Sequence, residues 1–305
     1  MPFVAIHSPL LGTNVEIRVE APAEIAIEAD AAAVAEFERL VAVFTVYDEE
    51  SELSRWRRGD LDDCSPELTE VLAAAQKWHV TSGGAFHPAI AALRRRWLLA
   101  TADDELPDAG ELADLAAANA DLPFMVTDGQ VQRLADCSGV DLNAIAKGYV
   151  VDKGCAAAAS QPGVDAVMIN AGGDLRHLGS GSVLVGIEDP GAPEDNAPPR
   201  WRIELSGAGL ATSGSARRGF RIGGRWLGHV LDPRTGWPVH HTTSTSVVAE
   251  DTMTADVLST VLGVLPPGEA TARAEAEGWA CLLVAADGTC TTSPAWPGAC
   301  ANVQS

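Results

Sequence analysis

The chain has 305 residues, which leaves room for one large domain or two small ones. Apolar residues make up 47% and charged residues 21%, a composition typical of folded globular proteins and not of disordered ones. The 42 acidic side chains outnumber the 21 basic ones, so the formal net charge is −21. Because such a charge repels phosphate backbones and anionic lipid surfaces, we expect no nucleic-acid partner and no membrane partner.

The six cysteines show no CxxC pair and no Cys/His spacing typical of zinc sites. We expect mostly buried free thiols in a reducing compartment; a Cys290–Cys300 bridge is an alternative that a chain of this size does not need. Residues 1–7 carry no basic segment before their short apolar stretch, so no signal peptide is predicted. No apolar run approaches the ~18 residues of a membrane span. Together these features predict a cytoplasmic protein.

The first predicted elements are a β-hairpin and a long helix. Residues 3–7 and 14–19 alternate apolar and polar side chains on either side of a turn at 11–13, as in an antiparallel hairpin. Residues 23–44 are rich in Ala and Glu and have helical spacing. Four apolar side chains are predicted to share one face of this helix: Val34, Phe37, Val41 and Phe44.

Later elements change character along the chain. Ser65 followed by Pro66 predicts the start of a helix that runs to about Val80, and an Ala-rich helix is predicted over 108–120. Beyond residue 124, short strands are predicted at 131–134, 167–170, 183–187, 203–205 and 246–249, with helices near 144–160 and 252–265 and a proline-rich surface loop at 189–199.

The pattern predicts an α+β fold that forms one globular unit over residues 1–305. Two subdomains are the alternative, with a helix-rich part over 1–123 and a sheet-rich part over 124–305.

Four segments hold most of the residues suited to chemistry. In the first, Asp141 lies just before a predicted helix and Lys147 lies in its first turns, an arrangement that favours anions. A capping Asp beside a solvated Lys explains the same pattern. In the second, a buried strand ends at Asn170 and is followed by Gly172, Gly173 and Asp174, where the backbone can come close to a ligand; a simple tight turn fits equally well.

The third segment places His229 before the turn Asp-Pro-Arg-Thr-Gly at 232–236, with Ser213 on an earlier stretch. A lone histidine on a strand is usually structural, but here an acid, an arginine and a hydroxyl lie within a few residues of it.

In the fourth segment, Asp256 and Thr260 are four residues apart on a helix and face the same way. A carboxylate and a hydroxyl suit Mg²⁺, and a surface Asp beside a locally bonded Thr is the alternative.

Taken together, these segments resemble the ApbE family of FAD:protein FMN transferases. Residues 11–13 (Leu-Gly-Thr) are similar to the family's Met-Gly-Thr turn, and 47–55 resemble its Tyr-Asp…Ser-x-Ile-Ser-Arg stretch. Residues 84–88 (Gly-Ala-Phe-His-Pro) resemble Gly-x-Phe-Asp-Pro. Further segments match in family order: 141–148, 170–174, 211–214, 229–236 and 253–260.

The resemblance implies an α+β fold related to the T-fold, with mixed or antiparallel sheets and flanking helices. It also implies a Mg²⁺-dependent enzyme that cleaves FAD, releases AMP and joins FMN through a phosphoester to a Thr or Ser hydroxyl of a target protein. Such chemistry needs charge neutralisation on a phosphoryl group and an in-line oxygen nucleophile.

Site residues follow from the same resemblance. It implies that the Asp256 carboxylate, the Thr260 hydroxyl and the Ala144 carbonyl hold the metal ion, and that His229 is the general base. It further implies that a larger set contacts the flavin nucleotide: Leu11, Tyr47, Ala85, Phe86, His87, Asp141, Lys147, Gly172, Gly173, Asp174, Ser213, Val230 and Asp232.

The chain departs from the family pattern at four places, of which Leu11 for Met and Asn143-Ala144 for the usual small pair are the milder two. His87 stands where the family usually has Asp, and residues 213–218 lack the acid and the aromatic that often follow Ser-Gly. Two other functions therefore stay open from the sequence: Mg²⁺-dependent hydrolysis of FAD to FMN and AMP, and FAD binding without catalysis.

Overall fold

A computed structural model describes residues 2–192 and 197–298 of the chain. The helices in this part are α1 (Ala23–Phe44), α2 (Glu52–Arg58), α3 (Pro66–Thr81), α4 (Ala91–Asp103), α5 (Ala109–Ala118), α6 (Ala146–Ala159), α7 (Thr252–Val264) and α8 (Pro267–Glu277). The strands are β1 (Phe3–Leu10), β2 (Thr13–Glu20), β3 (Phe124–Thr127), β4 (Gln130–Arg133), β5 (Ala166–Ala171), β6 (Asp174–Gly179), β7 (Val183–Ile187), β8 (Trp201–Leu205), β9 (Gly209–Gly214), β10 (Gly219–Ile222), β11 (Arg225–Gly228), β12 (Thr242–Ala249), β13 (Ala280–Ala285) and β14 (Cys290–Thr292).

The central sheet has eight strands in the order β1-β2-β5-β6-β9-β12-β13-β14. Every neighbouring pair in it is antiparallel. β2 pairs with β5 from Val15 opposite Ala171 to Glu20 opposite Ala166, so the sheet joins strands from both sides of residue 123. The remaining strands form three two-stranded hairpins, β3–β4, β7–β8 and β10–β11. The predicted α+β class is confirmed, with antiparallel pairing throughout the central sheet.

Helices α1, α6 and α7 pack against one another and against the sheet, and their apolar side chains form the main core. Gly154 on α6 lets the ring of Phe37 on α1 come close, since a Cβ there would lie 2.5 Å from that ring. The buried face of α1 contains Ala26, Ala29, Ala33, Phe37, Leu40 and Phe44. Val34 and Val41 lie at the edge of this face, half-buried, and Val34 packs against the core, so they share the side of the helix that carries Phe37 and Phe44, as predicted.

Two smaller clusters complete the interior. On the far side of the sheet, β7 and β8 pack against Met168, Leu175 and Leu282. A third cluster joins α4 to the β10–β11 hairpin through Leu93, Trp97, Phe220, Ile222 and Leu231. The indole nitrogen of Trp97 also donates to the carbonyl of Gly236 at 2.8 Å. This third cluster fixes the hairpin and the loop after it, which carries His229.

Most predicted elements are confirmed, and three helices were missed: α2, α4 and α8. α3 begins at the predicted cap, where the Ser65 hydroxyl accepts from Leu68 N at 3.2 Å. α2 has an equally clear cap, since Ser51 Oγ accepts from Ser54 N at 3.1 Å, but the segment was interpreted only through its motif. α4 has no side-chain cap and buries only Leu93, Trp97 and Ala100, so its periodicity is weak.

The cysteines differ in part from expectation. Cys64, Cys137, Cys155 and Cys281 are free thiols, as predicted. Cys290 is disulfide-bonded, so the expectation of free thiols is wrong at this position. Its candidate partner Cys300 lies outside the described residues. A disulfide requires only that two cysteines meet in the fold, whether or not the domain needs the cross-link.

Across residues 2–192 and 197–298, none of the helices combines the length and the apolar character needed to cross a bilayer. Of the proline-rich segment 189–199, residues 193–196 lie outside the described residues.

Candidate active site

The glycine turn between β5 and β6 places a buried carboxylate beside a lysine. Gly172 and Gly173 adopt φ values of +63° and +102°, which side chains rarely tolerate, and Gly173 N donates to the Asn170 side-chain oxygen at 3.1 Å. Asp174 follows at the start of β6, and its Oδ2 lies 2.7 Å from Lys147 Nζ in the first turn of α6. At this distance the contact is an ion pair, although its angles are poor for a hydrogen bond.

A second carboxylate, that of Asp256 on α7, lies close to this pair. Asp256 is 5% exposed, and its Oδ2 accepts from Gly148 N at 3.3 Å. Burial raises its pKa well above the ordinary value, and the nearby charge of Asp174 raises it further, whereas Lys147 acts in the opposite direction. Burial also raises the pKa of Asp174, with Lys147 again opposing. Two buried carboxyl groups therefore share one lysine, and a cation beside Asp256 would favour its charged form.

Lys147 responds to the same surroundings. Desolvation lowers its pKa, but the charges of Asp174 and Asp256 outweigh that effect and the pKa is raised overall. The ammonium group therefore stays charged at neutral pH and offers a fixed cation next to the glycine turn.

Close contact between α6 and α7 brings these groups together. A Cβ on Gly148 would lie 2.5 Å from the carbonyl oxygen of Thr252, so only glycine permits this approach. The carboxylate of Asp152, also on α6, accepts from the first amides of α7. Asp152 was given no role from the sequence. A carboxylate that follows Lys147 in the same predicted helix is the feature that could have indicated one.

Hydroxyl groups of α7 and β9 meet about one helical turn beyond Asp256. Ser213 Oγ, on β9, lies 2.7 Å from Ser259 Oγ and 3.3 Å from Thr260 Oγ1. Both Ser213 and Thr260 are half-buried. The structure thus unites two residues that the sequence analysis placed in different segments.

The carbonyl oxygen of Ala144 is available to a ligand. Gly148 N, which a regular helix would direct at this carbonyl, donates to Asp256 instead. No hydrogen bond to the Ala144 oxygen is found from any described residue. The backbone departs from helical geometry at Ile145, with φ −151° and ψ −43°, which explains why α6 begins only after it.

These donors fit Mg²⁺ better than softer metals. Within the described residues there is no cluster of three or more His, Cys, Asp or Glu side chains suited to a metal ion. A single carboxylate, a hydroxyl and a main-chain oxygen match a hard cation that keeps several waters and binds substrate phosphates.

His229 follows β11 and is held by the strand beside it. Its backbone N and its ring Nδ1 both lie near the carbonyl oxygen of Arg218, at 3.1 and 3.2 Å. Because a carbonyl can only accept, Nδ1 carries the proton and Nε2 keeps its lone pair. Sequence analysis missed this role of Arg218, which its backbone performs.

The electrostatic surroundings of His229 keep it neutral. One edge of the ring is exposed, but the protein atoms around the rest of it remove solvent and lower its pKa below the ordinary 6.5. The positive charges of Arg218, Arg94 and Lys147 lower the pKa further. A neutral imidazole with a free Nε2 can accept a proton at neutral pH.

The turn after His229 is stabilised by Asp232. Its Oδ1 accepts from Arg234 N and Arg234 Nε, at 3.0 and 2.9 Å, and its Oδ2 accepts from the same guanidinium. Val230 O accepts from Val239 N at 2.8 Å, which closes the loop. Asp232 and Val230 thus hold the backbone that carries His229.

Asp141 lies outside α6 and does not cap it. Its Oδ1 accepts from Asn143 N at 2.9 Å, and its Oδ2 lies 3.4 Å from a guanidinium nitrogen of Arg94. The N-cap residue of α6 is Ile145, without a side-chain cap, so the capping interpretation of Asp141 is wrong. The turn at Asp141 instead leads the chain to the free carbonyl of Ala144.

The other residues predicted from the resemblance have varied settings. Leu11 forms the β1–β2 turn with φ 54°, and the next residue but one, Thr13, packs against Gly172. Tyr47 is 80% exposed. Ala85 and Phe86 are buried in the main core.

His87 is 6% exposed, and its ring lies against that of His79 with centroids 4.6 Å apart. Its Nδ1 accepts from Ala89 N at 3.0 Å, while the buried Nε2 makes no hydrogen bond to the described residues. Burial lowers its pKa to about 4, and the charge of His79 contributes.

The ApbE family model matches residues 11–283 of the chain. The chain belongs to the ApbE family. Among curated ApbE relatives, the FAD:protein FMN transferase of Haemophilus influenzae is 30% identical over 258 residues, which cover 80% of this chain and 74% of that protein. The Escherichia coli protein of the same name is 34% identical over a shorter stretch, 49% of this chain and 43% of that protein.

Solved ApbE structures have the same fold. The ApbE protein of Thermotoga maritima superposes with a TM-score of 0.83 at 24% identity, covering 96% of this chain and 97% of that one. The flavin transferase ApbE of Vibrio cholerae gives 0.77 at 23% identity, covering 97% and 99%. The ApbE-like α+β architecture predicted from the sequence is confirmed.

Proposed function

We propose that this ApbE-family chain transfers FMN from FAD to a Thr or Ser hydroxyl of a target protein and releases AMP, with Mg²⁺ required. The observation that carries the proposal is the hydrogen bonding of the His229 ring: Nδ1–H donates to Arg218 O at 3.2 Å, and Nε2 has no hydrogen-bond partner among the described residues. The names of the curated relatives support the reaction class.

Asp256, Thr260 and the Ala144 carbonyl would hold Mg²⁺. When bound there, the ion supplies positive charge that offsets the phosphate oxygens of FAD. Asp256 contributes the charged ligand, while the hydroxyl and the carbonyl are neutral. The hydrogen bonding is consistent with these roles. The Ala144 oxygen accepts no hydrogen bond from the described residues, and the Thr260 hydroxyl lies 3.3 Å from Ser213 Oγ.

His229 receives the acceptor's proton in the transfer step. The hydroxyl of the target loses its proton to Nε2, its oxygen bonds to the phosphorus of the FMN moiety, and the bond from that phosphorus to the AMP oxygen breaks. AMP leaves with that electron pair, so the phosphoester forms as the pyrophosphate is lost. General base catalysis of this kind contributes about 10²–10⁴-fold.

Lys147 and the glycine turn would bind the flavin nucleotide. The ammonium of Lys147 contacts Asp174, the residue after Gly173, and a Cβ on Gly173 would have only Thr212 O within 4 Å among the described residues, so a phosphate or ring has room there. A local cation explains how a chain of net charge −21 binds an anionic dinucleotide. The acceptor is a protein with an accessible Thr or Ser, and a cytoplasmic setting remains our prediction.

One incubation tests the proposal against its alternatives. The purified protein is mixed with FAD, Mg²⁺ and candidate acceptor proteins encoded beside its gene, and AMP release and covalent flavin fluorescence on a denaturing gel are followed. We expect AMP together with a labelled acceptor. AMP without label indicates FAD hydrolysis, and bound FAD with neither product indicates a binding protein; either result contradicts the proposal.

A further inference from the structure

A concentration of positive charge lies next to His229 in this acidic chain. The β10–β11 hairpin and the residues just before it contain four arginines between positions 217 and 226, although the net charge of the whole chain is −21. α4 packs against this hairpin and carries three consecutive arginines over 94–96. The charge near the site is therefore opposite in sign to that of the molecule.

Several of these arginines lack an acidic partner. Arg217 pairs with Glu188, with Nε 3.2 Å from a carboxylate oxygen, and Arg94 and Arg96 pair with Asp141 and Glu111. The remaining ones are exposed and form no ion pair with any carboxylate in the part of the chain described: Arg95, Arg218, Arg221 and Arg225. In a chain with 42 acidic residues, exposed arginines without an acidic partner are available to an outside partner.

The outer face of the hairpin combines charge with an aromatic ring. Arg221 lies opposite Trp226 in the strand register, and its guanidinium carbon is 5.8 Å from the centre of the indole. Trp226 is 44% exposed, yet its indole nitrogen donates to Ser215 O at 2.7 Å, which fixes the ring in place. A fixed exposed tryptophan beside arginines is a combination typical of binding surfaces.

This surface adjoins the base directly. Arg218 supplies the carbonyl that holds His229 and also contributes its own charge to the surroundings of Lys147, Asp174 and His229. Arg218 and His229 face each other where the β10–β11 hairpin ends, and Arg221 and Trp226 lie further along the same hairpin, so a chain bound at His229 can extend along it. We name Arg218, Arg221 and Trp226 the arginine surface.

We propose that the arginine surface binds an acidic segment of the acceptor protein that flanks the modified hydroxyl. The inference rests on the proposed function, because that function requires a protein segment at His229. Guanidinium groups bind carboxylates through paired hydrogen bonds, and the tryptophan adds apolar contact area. A short acidic segment can be confined to this surface, whereas a nucleic acid would extend onto the surrounding acidic protein.

The test uses two labelled peptides and the FAD-bound full chain. One short fluorescein-labelled peptide alternates Asp and Gly around a central Thr, and its match has Asn in place of each Asp. Binding is followed by fluorescence anisotropy for the wild type, for Arg221→Glu, and for the control Arg202→Glu. Arg202 lies on β8, exposed and without an ion pair among the described residues, so its reversal changes the net charge equally.

We expect the Asp peptide to bind the wild type about tenfold more tightly than the Asn peptide, and Arg221→Glu to remove this preference. Arg221→Lys should retain most of it, and Arg202→Glu should retain it in full. Equal binding of the two peptides, equal effects of both reversals, or tighter binding of a single-stranded oligonucleotide of matched length would overturn the proposal. FAD binding, read from flavin fluorescence, separates this outcome from failure of the proposed function, since Arg221→Glu should leave it unchanged.

Discussion

The carboxylate of Asp152 on α6 accepts a hydrogen bond from the backbone amide of Thr252 on α7 at 2.8 Å, and its other oxygen accepts from Met253 N at 2.9 Å. Asp152→Ala leaves these two amides without a partner, which we expect to cost about 1–3 kcal/mol of the free energy of unfolding. It should also weaken Mg²⁺ activation, because α7 carries Asp256 and Thr260. Urea unfolding and Mg²⁺ titration of AMP release measure the two effects.

Asp251→Ala is the matched control. Asp251, the N-cap residue of the same helix, accepts from Thr254 N through Oδ1 at 2.6 Å, and its side chain makes no hydrogen bond to α6 among the described residues. It should lower stability by a similar amount but leave Mg²⁺ activation near normal. If both variants weaken Mg²⁺ activation equally, Asp152 acts only as a cap.

Gly148→Ala should separate α6 from α7. The new Cβ would lie 2.5 Å from Thr252 O, a backbone atom that cannot move away alone, so we expect a loss of about 1–3 kcal/mol and a lower Mg²⁺ affinity. Gly268→Ala, in the first turn of α8 with nothing within 4 Å of the new Cβ, should be neutral or slightly stabilising. Thermal unfolding compares the two, and a neutral Gly148→Ala contradicts the close approach.

His229→Ala should lower the rate of AMP release in the presence of acceptor by about 10²–10⁴-fold while FAD remains bound. The pH profile gives a second check. Because surrounding protein and nearby cations lower the pKa of His229 below 6.5, its base form persists at lower pH, and the acid limb of kcat/KM should break below pH 6.5. A break above 6.5, or an unchanged profile in His229→Ala, would contradict the assignment.

Asp256→Asn should remove the Mg²⁺ dependence together with turnover. The amide keeps the size of the side chain and an oxygen that can accept from Gly148 N, but it supplies no negative charge to a cation. We expect AMP release to fall at least about 10²-fold and extra Mg²⁺ to restore little of it. Full Mg²⁺-dependent activity in this variant would place the ion elsewhere.

His87→Asn should make the protein less sensitive to acid. The folded chain holds the pKa of His87 at about 4, whereas an unfolded histidine titrates near 6.5, so the unfolded state binds the proton first as the pH falls. The stability from this residue is present above pH 6.5 and is lost towards pH 4, by up to about 3 kcal/mol. Asn keeps an acceptor for Ala89 N.

Urea unfolding at pH 7 and near pH 4.5 measures this difference, and the wild type should lose more stability than the variant. An equal loss in wild type and His87→Asn would show that the ring is solvated.

Much of the fold followed from local signals. The alternation in residues 3–7 and 14–19 and the Ser65-Pro66 start are properties of a few adjacent residues, and each led to the observed element. α4 was missed because no side chain caps its N-terminus and few of its residues are buried. The strand order could not be predicted, since β2 pairs with β5 only after long intervening chain.

The candidate site likewise contains residues that short motifs identify and residues that only the folded chain reveals. Lys147, Asp174, Asp256, Ser213 and Thr260 were named from short motifs, and the structure joins them by contacts that span β6, α6, β9 and α7. Asp152 escaped notice because the amides it binds are far along the chain. Arg218 escaped notice because its carbonyl holds His229, and every residue type has a carbonyl.

The candidate site has two parts, the residues on α7 and His229 beside β10–β11, and the fold holds the first part more firmly than the second. α7 is buried along most of its length, whereas β10–β11 has only two strands and rests on the small third cluster. Local opening begins where few buried contacts must break, so amide hydrogen exchange should be faster in β10–β11 than in α7. Warming would then displace the imidazole before the helices melt, and inactivation would precede global unfolding and reverse on cooling.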